Sequence, residues 1–436
     1  MDPADQKQEQ ERYWAGARRS RTRDLYRLTP LRRARRSVDA VLRRLLYGLL
    51  RLLFRPASFE GPIDVMALES LLIMPYGDAL GDLVVASPVW RAIKRRNPAC
   101  RIGVIVSGRN AGIVAEDPDI DDRYFIEGRL GTKHLGELRR ARRAGYQVAL
   151  NLHFAKLTDQ GLLTALVAPR ALKLTGHHPR AEQYRFFFDH IGRRERHTTH
   201  LSVHSLELLS EVVTFTPPLK TREAWPTLVL SDERRVAVRA ELQGLGVHGR
   251  FVVIHQQAAT PFREWGIENT LELSARLLQY DPSLSIILTA TTLLEPRLRE
   301  ALHSADPRIL LFPASMDLLR LSALLAEAAL VITPETSIPH LATALGRPVL
   351  ELLPDRDAVP VEWLPIGVPS RLLAPERHGM PVATIPVAAV FEAACALLAV
   401  GPPLPSQTSL EVGAPALMYQ AASGEAPLVT FLHDRI

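Results

Sequence analysis

LLIMPYGDALGDLVVASPVWRAIKRRNP, residues 71–98, is the stretch from which the fold is read. LLIMP (71–75) is an apolar run of the length of a buried parallel strand. Gly77 and Gly81 in the loop that follows let the backbone turn tightly and approach a ligand. VVASPVWRAIKRR then has helical period and ends on a basic turn, which suits the negative end of a helix dipole. The same alternation continues outward. RIGVIVS (101–107) and YQVALNL (146–152) read as strands, and RNAGIVAEDP and TDQGLLTALVA as helices. Strands alternating with helices predict a doubly wound α/β domain on a parallel sheet.

The alternation restarts at RFVVIHQQ (250–257) and runs through ENTLELSARLLQ, LSIILTA (284–290), LREALHSA, RILLFPA and DLLRLSALLAEA. It then reaches LVITPETS (330–337), HLATALG and a last strand in RPVLELL. A Thr- and Pro-rich segment, 213–226, lies between the two halves. With 436 residues the chain is too long for one compact core and suits two domains. The expectation is two Rossmann-like domains facing across a cleft, at residues 61–225 and 226–400, with ligands at the C-terminal strand ends. Residues 1–60 form a basic extension, and 401–436, rich in Pro, Gly, Ser and Ala, is expected to be a disordered tail.

Hydrophobic residues make up 47% and charged residues 23%, the balance of a globular chain. The net charge is +6, but residues 1–55 hold one Lys and fourteen Arg against few acids, so the body beyond them is slightly acidic. That argues against a nucleic-acid groove through the fold. Cys100 and Cys395 are too few for a disulfide framework. No long uncharged apolar run marks a membrane span, and MDPADQKQEQE lacks the order of a secretion signal, so the cytoplasm is the expected location. VDAVLRRLLYGLLRLLF (38–54) spaces Leu42, Leu45, Leu49 and Leu52 helically, with Arg43, Arg44 and Arg51 between. It reads as a cationic amphipathic helix on an anionic membrane surface, peripheral on the inner face of the plasma membrane, or as a helix packed on the body.

Two loops are candidates for chemistry. In PYGDALGDLVVASP (75–88), Asp78 and Asp82 stand near a helix start, where an Asp is either a cap or an acid facing a ligand. The glycine spacing fits neither GxGxxG nor a Walker loop, and no Lys follows. In ITPETSIPHLATALGRPVLELL (332–353), the hydroxyls of Thr336 and Ser337 converge with backbone N–H groups at a helix start, which suits a diphosphate or is ordinary capping. His340, one turn in, either contacts a phosphate or packs. Glu295, after LSIILTA, either holds a ribose diol or is a solvated helix residue. Lys156 and His177/His178 follow strands of the first half and either meet an anionic acceptor or are ordinary loop residues. His197, His200 and His204 are spaced as if to cluster on a helix, but no carboxylate or cysteine completes a metal pattern, so no metal site is assigned.

GDALGDLVVASPVWRAIKRRNP resembles the N-terminal signature of the heptosyltransferases, glycosyltransferase family 9. TPETSIPHLATALGRPVLELL resembles the second signature of that family, and VVIHQQAATPFREWGIENTLELSARL is similar to its strand, small-residue loop, basic residue, Trp and helix. The three fall in order across roughly residues 70–400. The resemblance implies a GT-B fold, the acceptor on the N-terminal domain and a nucleotide-sugar donor on the C-terminal one. It also implies inverting transfer of a heptose or related sugar from an ADP-heptose-like donor to a surface glycan or glycolipid such as lipopolysaccharide core. It makes Asp82 the base, puts the backbone of Gly81, Gln257 and Ala258 at the ligand, and assigns Arg263, Trp265, Glu295, Glu335, Thr336, Ser337 and His340 to the donor. Asp78, Lys156 and His178 fall to the acceptor side. Arg263 stands where the family commonly has Lys, Glu335 where it has Asp, Ser337 where many members have Gly, Tyr76 where many have a basic residue, and Asp78 where a small residue is usual. No cofactor is required, since helix dipoles and Arg263 can take the role of magnesium at the diphosphate. Two other readings stand beside this one: an epimerase of the same fold that needs no acceptor, and a non-catalytic nucleotide- or glycan-binding scaffold.

Overall fold

The computed structural model describes residue 45 and residues 47–52, 61–128, 130–153, 157–177, 181–193, 199–355, 361–400 and 418–419. The chain divides into two compact units, Met1–Pro56 and Ala57–Ile436. In the first, the described residues are helical and expose Leu45, Leu49 and Leu52.

Among the described residues, the second unit contains two large parallel sheets, one in each of two lobes, and a short parallel pair of Ile63–Asp64 with Val213–Thr214. In the first lobe, β1 (Ser70–Met74), β2 (Arg101–Val106), β3 (Asp122–Phe125), β4 (Val148–Asn151), β5 (Leu172–Thr175) and β6 (His190–Ile191) lie in the order β3-β2-β1-β4-β5-β6. In the second, β7 (Phe251–His255), β8 (Ser285–Thr289), β9 (Ile309–Leu311), β10 (Leu330–Pro334), β11 (Val349–Leu352), β12 (Ser370–Leu373) and β13 (Met418–Tyr419) lie in the order β9-β8-β7-β10-β11-β12-β13. Each lobe builds outward from its first strand to one edge, then returns to lay its fourth strand on the other side of the first. Met74 is paired with Asn151 and Ile254 with Ile332 across these junctions. The loops leaving such a pair diverge and open a crevice at the C-terminal strand ends.

β1 and β10 are buried along their whole length, as strands covered by helices on both faces are. The helical stretch after β1 is two helices, α1 (Leu80–Val85) and α2 (Ser87–Lys94), separated at Ala86. Pro88 lacks the N–H that would continue one helix and instead opens the next. α2 is anchored by Asp117, which accepts from Trp90 Nε1 at 3.2 Å and from Arg91 Nη1 and Nη2 at 2.8 and 2.6 Å. Arg91 also pairs with Asp119, so two carboxylates hold the guanidinium. The remaining helices are α3 (Leu135–Ala144), α4 (Leu157–Val167), α5 (Leu201–Ser210), α6 (Asp232–Gly244), α7 (Ile267–Tyr280), α8 (Glu295–Ala301), α9 (Leu318–Glu327), α10 (Ile338–Ala344) and α11 (Val387–Val400). α1 packs against α10, and one apolar cluster runs through both lobes, from Ile73, Leu83 and Val89 to Ala342, Val349 and Val368.

Several elements go beyond the sequence reading. RPVLELL is not the last strand: β12 and β13 extend the sheet past it, and α11 covers it. Within the segment expected to be a disordered tail, Met418–Tyr419 pair with Arg371–Leu372, while 401–417 and 420–436 lie outside the described residues. β3 and α3 are hard to read in the sequence because DRYF is half charged and the apolar positions of α3, Leu138, Ala141 and Ala144, sit among arginines.

Candidate functional site

The loop after β1 is built by close approach. Ala79 N–H donates to Asp82 Oδ2 at 3.1 Å, which turns the Asp82 carboxylate back over the start of α1. A Cβ on Gly77 would lie 2.5 Å from that same oxygen, so another residue there would push the Asp82 carboxylate aside. A Cβ on Gly81 would lie 2.6 Å from His340 Cδ2, so the first turn of α1 sits flush against the imidazole on α10. Asp82 in the first lobe and the Glu335–His340 loop in the second therefore meet at one seam.

Trp363, on the turn Val361–Trp363, lines the same seam. Its ring is edge-on to Tyr76, with centroids 6.1 Å apart, and to His340, at 5.6 Å. Tyr76 is buried and its hydroxyl donates to Leu201 O at 2.5 Å, so the residue that replaces a family cation ties β1 to α5. His200 caps α5, with Nδ1 accepting from Ser202 N–H at 3.2 Å, and bonds to the backbone of Leu364. Burial pushes its pKa down to about 3, with the nearby His340 adding to the effect, and burial pushes His340 down to about 4. Both rings are neutral at pH 7 and can donate or accept a hydrogen bond.

In the second lobe, Arg263 Nη1 lies 3.4 Å from Glu335 Oε2, both side chains about a quarter to a third exposed, at 26% and 31%. Thr336 Oγ1 accepts from Ile338 N–H at 3.1 Å and lies 3.3 Å from Thr333 Oγ1, so it is the capping hydroxyl of α10. Ser337 occupies the N-cap position without a side-chain capping bond. Glu351 sits beside Thr333 in the register of β11 and β10 and is buried. Burial, reinforced by the charge of Glu335, pushes its carboxyl well above the usual range. Gln257 Oε1 accepts from Thr291 N–H at 3.3 Å and from the Thr291 hydroxyl, which joins the loops after β7 and β8, and Ala258 is half-buried beside it. His255, closing β7, bonds Thr289 Oγ1 at 3.0 Å, and burial lowers its pKa to about 4.

Two donor-side expectations change. Trp265 does not face the cleft: it is 3% exposed and its indole N–H donates to Ile385 O at 3.0 Å, so it fastens the Arg263 loop to the core. Glu295 accepts from Ala314 N–H at 3.0 Å and pairs with Arg299 at 2.6 Å, interactions that in that order hold its pKa low and fix the loop after β9. Asp78 is exposed, its carbonyl accepting from Ser107 Oγ at 3.0 Å. Lys156, His178 and His197 lie outside the described residues, His177 is half-buried after β5, and His204 is buried in α5. Among the described residues, no group of three or more His, Cys, Asp or Glu is placed to hold a metal ion. No helix among them is long and apolar enough to cross a membrane. Sequence reasoning missed His255, Trp363 and Glu351; the one available signal was a polar residue inside or closing a buried strand, at His255 and Glu351.

The arrangement supplies a carboxylate oriented by a backbone N–H in one lobe and, in the other, a guanidinium, the hydroxyls of Thr336 and Ser337, and imidazoles held neutral. That is equipment for taking a proton on one side of a cleft and stabilising a leaving anion on the other.

A sequence model of glycosyltransferase family 9 (heptosyltransferase) matches residues 140–373, more than half of the chain, including Arg263 and the Glu335–His340 loop. Lipopolysaccharide heptosyltransferase 3 of Escherichia coli (strain K12) is 24% identical over 293 residues, 64% of this chain and 81% of that protein. Among solved structures, a glycosyl transferase family 9 protein from Veillonella parvula superposes with a TM-score of 0.64 at 15% identity, over 76% of this chain and 97% of that one. The E. coli ADP-heptose lps heptosyltransferase II superposes with a TM-score of 0.59 at 16% identity, over 76% and 99%. These neighbours share the two-lobed GT-B architecture.

Proposed function

Because the chain belongs to glycosyltransferase family 9, the heptosyltransferases, we propose that it moves a heptose or related sugar from an ADP-heptose-type donor to a lipopolysaccharide core or similar glycolipid. The relative at 24% identity is a lipopolysaccharide heptosyltransferase, and the E. coli heptosyltransferase WaaC, of the same fold, is known with ADP and with ADP-2-deoxy-2-fluoro heptose. The observation that carries the site assignment is the contact of Gly81 with His340, which sets Asp82 beside the loop that would hold the donor.

In this reading an acceptor hydroxyl attacks the anomeric carbon from the first lobe. As the new C–O bond forms and the bond to the diphosphate breaks, the hydroxyl proton passes to the Asp82 carboxylate. Negative charge grows on the departing phosphate oxygen and is met by Arg263, which exchanges Glu335 for the diphosphate, and by the hydroxyls of Thr336 and Ser337. Neutral His340 donates a hydrogen bond at the same place. One displacement inverts the anomeric centre, and no step is routed through a metal. Asp82→Asn should keep donor binding and lose at least about 100-fold in kcat, the scale of a missing general base; a near-normal rate would remove Asp82 from the role.

The reading extends to location. The exposed Leu45, Leu49 and Leu52 beside the arginine-rich N-terminal sequence suit the anionic inner face of the plasma membrane, where a glycolipid acceptor is found. Deleting residues 1–60 should release the protein from anionic vesicles and leave nucleotide binding intact. Vesicle binding that survives the deletion would make the arm structural.

A further inference from the structure

The face of the second sheet that packs against α9 and α10 changes character at its rim. Ile287, Val253, Val331 and Val349 stand side by side in β8, β7, β10 and β11 and belong to the apolar cluster shared with those helices. Side chains of a strand alternate between its two faces, so Thr289, His255, Thr333 and Glu351, two positions on, extend the same rows to the C-terminal strand ends. All four are polar, and Thr289, Thr333 and Glu351 are almost completely buried.

Glu351 stands out among them. His255 Nδ1 bonds Thr289 Oγ1 at 3.0 Å, and Thr333 Oγ1 donates to Pro334 O at 2.9 Å. Among the described residues, Glu351 Oε2 has no hydrogen-bond partner. Val349, on the same face of the same strand, shows that an aliphatic side chain suits the packing, whereas a buried carboxyl without a partner destabilises a fold. The charge that acts on Glu351 is that of Glu335, whose N–H donates to Leu352 O at 3.2 Å and so ties the loop after β10 to the residue beside Glu351. Burial first, and then that charge, favour the protonated form of Glu351, which is an O–H donor. Glu335 itself is held by Arg263, with Nη1 3.4 Å from Oε2.

We propose that Glu351 is a positioning residue of the donor site: when a diphosphate draws Arg263 away, the Glu351 carboxyl donates a hydrogen bond to the Glu335 carboxylate in place of the lost guanidinium. The proposal rests on the transferase reading of Arg263 and deepens it, since it says what becomes of the carboxylate that Arg263 releases. Glu351 acts through Glu335, holding that side chain back from the diphosphate and spreading its charge.

The test is ADP affinity, measured by titration calorimetry on the full-length protein and its variants. Glu351→Leu cannot donate and should bind ADP at least about tenfold more weakly, the scale of a hydrogen bond to a charged group. Glu351→Met, unbranched and equally unable to donate, should repeat that result. Glu351→Gln offers an amide N–H in the same place and should recover affinity to within about threefold of the wild type. With Glu335→Gln present no carboxylate is left uncovered, and adding Glu351→Leu should then change ADP affinity by less than about twofold. The inference is overturned if both apolar variants bind ADP like the wild type, if Glu351→Gln is as weak as they are, or if the deficit persists without the Glu335 charge. Melting temperatures without ADP check folding, and losing a buried, unpartnered carboxyl should leave them unchanged or raise them. A wild type that does not bind ADP loses the transferase reading itself; ADP binding that ignores position 351 removes only the role of Glu351.

Discussion

The two lobes lay their strands in the same order and open their crevices beside the same two strands, yet the described residues at the two mouths differ in kind. The second presents Arg263, the hydroxyls of Thr336 and Ser337, and the imidazoles of His255 and His340 held neutral by burial. The first presents Asp78 and Asp159 around a cavity at the C-terminal ends of β1, β2 and β4 and, among the described residues that line it, no Lys or Arg. One backbone plan therefore carries two differently lined mouths, and a few residues in the loops after the first and fourth strands make the difference. The buried acid in the second lobe fits the contrast, since burial and the charge of Glu335 push the Glu351 carboxyl well above its usual range.

The comparison breaks most visibly at its cation. Arg263→Gln should lower kcat/KM by about 100-fold, the scale of one lost transition-state donor, while leaving discrimination among acceptor sugars unchanged. A loss under about threefold, or a change in acceptor preference, would mean that the lobes do not divide the work by charge. Next in size is the seam where the lobes meet. Gly81→Ala pushes a methyl group into His340 and should cost about 1–3 kcal/mol in thermal unfolding. Gly136→Ala, on α3 where a Cβ meets nothing within 4 Å, is the control and should be neutral or slightly stabilising. Equal shifts for the two would show that close packing at 81 is not what joins the lobes.

A further effect is set by pH. His200, His255 and His340 have folded-state pKa values of about 3, 4 and 4 against an ordinary 6.5. The unfolded chain therefore binds more protons than the folded one in this window, and stability falls as pH drops from about 6.5 toward 4. Each histidine adds a slope of about 1.4 kcal/mol per pH unit there. His200→Asn keeps a side chain able to cap α5 and should remove one such increment from melting curves taken across the window. A melting temperature that stays flat as the wild type is acidified would put these rings in contact with water.

Much of this was legible before the fold was known. β1 and β10 are continuous apolar runs, and each ends in a loop whose residue types announce a helix start, so the two halves of the site could be placed separately. Their meeting could not. Tyr76, His200, His340 and Trp363 come from four distant parts of the sequence, and only the packing of α1 on α10 brings them together. Trp265 was misplaced for a related reason. The family resemblance assigned Trp265 to the donor, but a backbone carbonyl 120 residues away satisfies its N–H and lets the ring enter the core. Asp78 was read as an acceptor-side candidate, but nothing in the sequence placed Asp159, 81 positions on, at the same cavity.

The apolar cluster that passes from Leu83 through the seam to Ala342 has a consequence for how the chain can be divided. Cutting at the connection between the lobes would not yield two soluble modules, because each half would display the face that the other now covers. Such fragments would seek one another, or clump. Co-expressed halves should reassemble into a working enzyme far more readily than either survives in isolation.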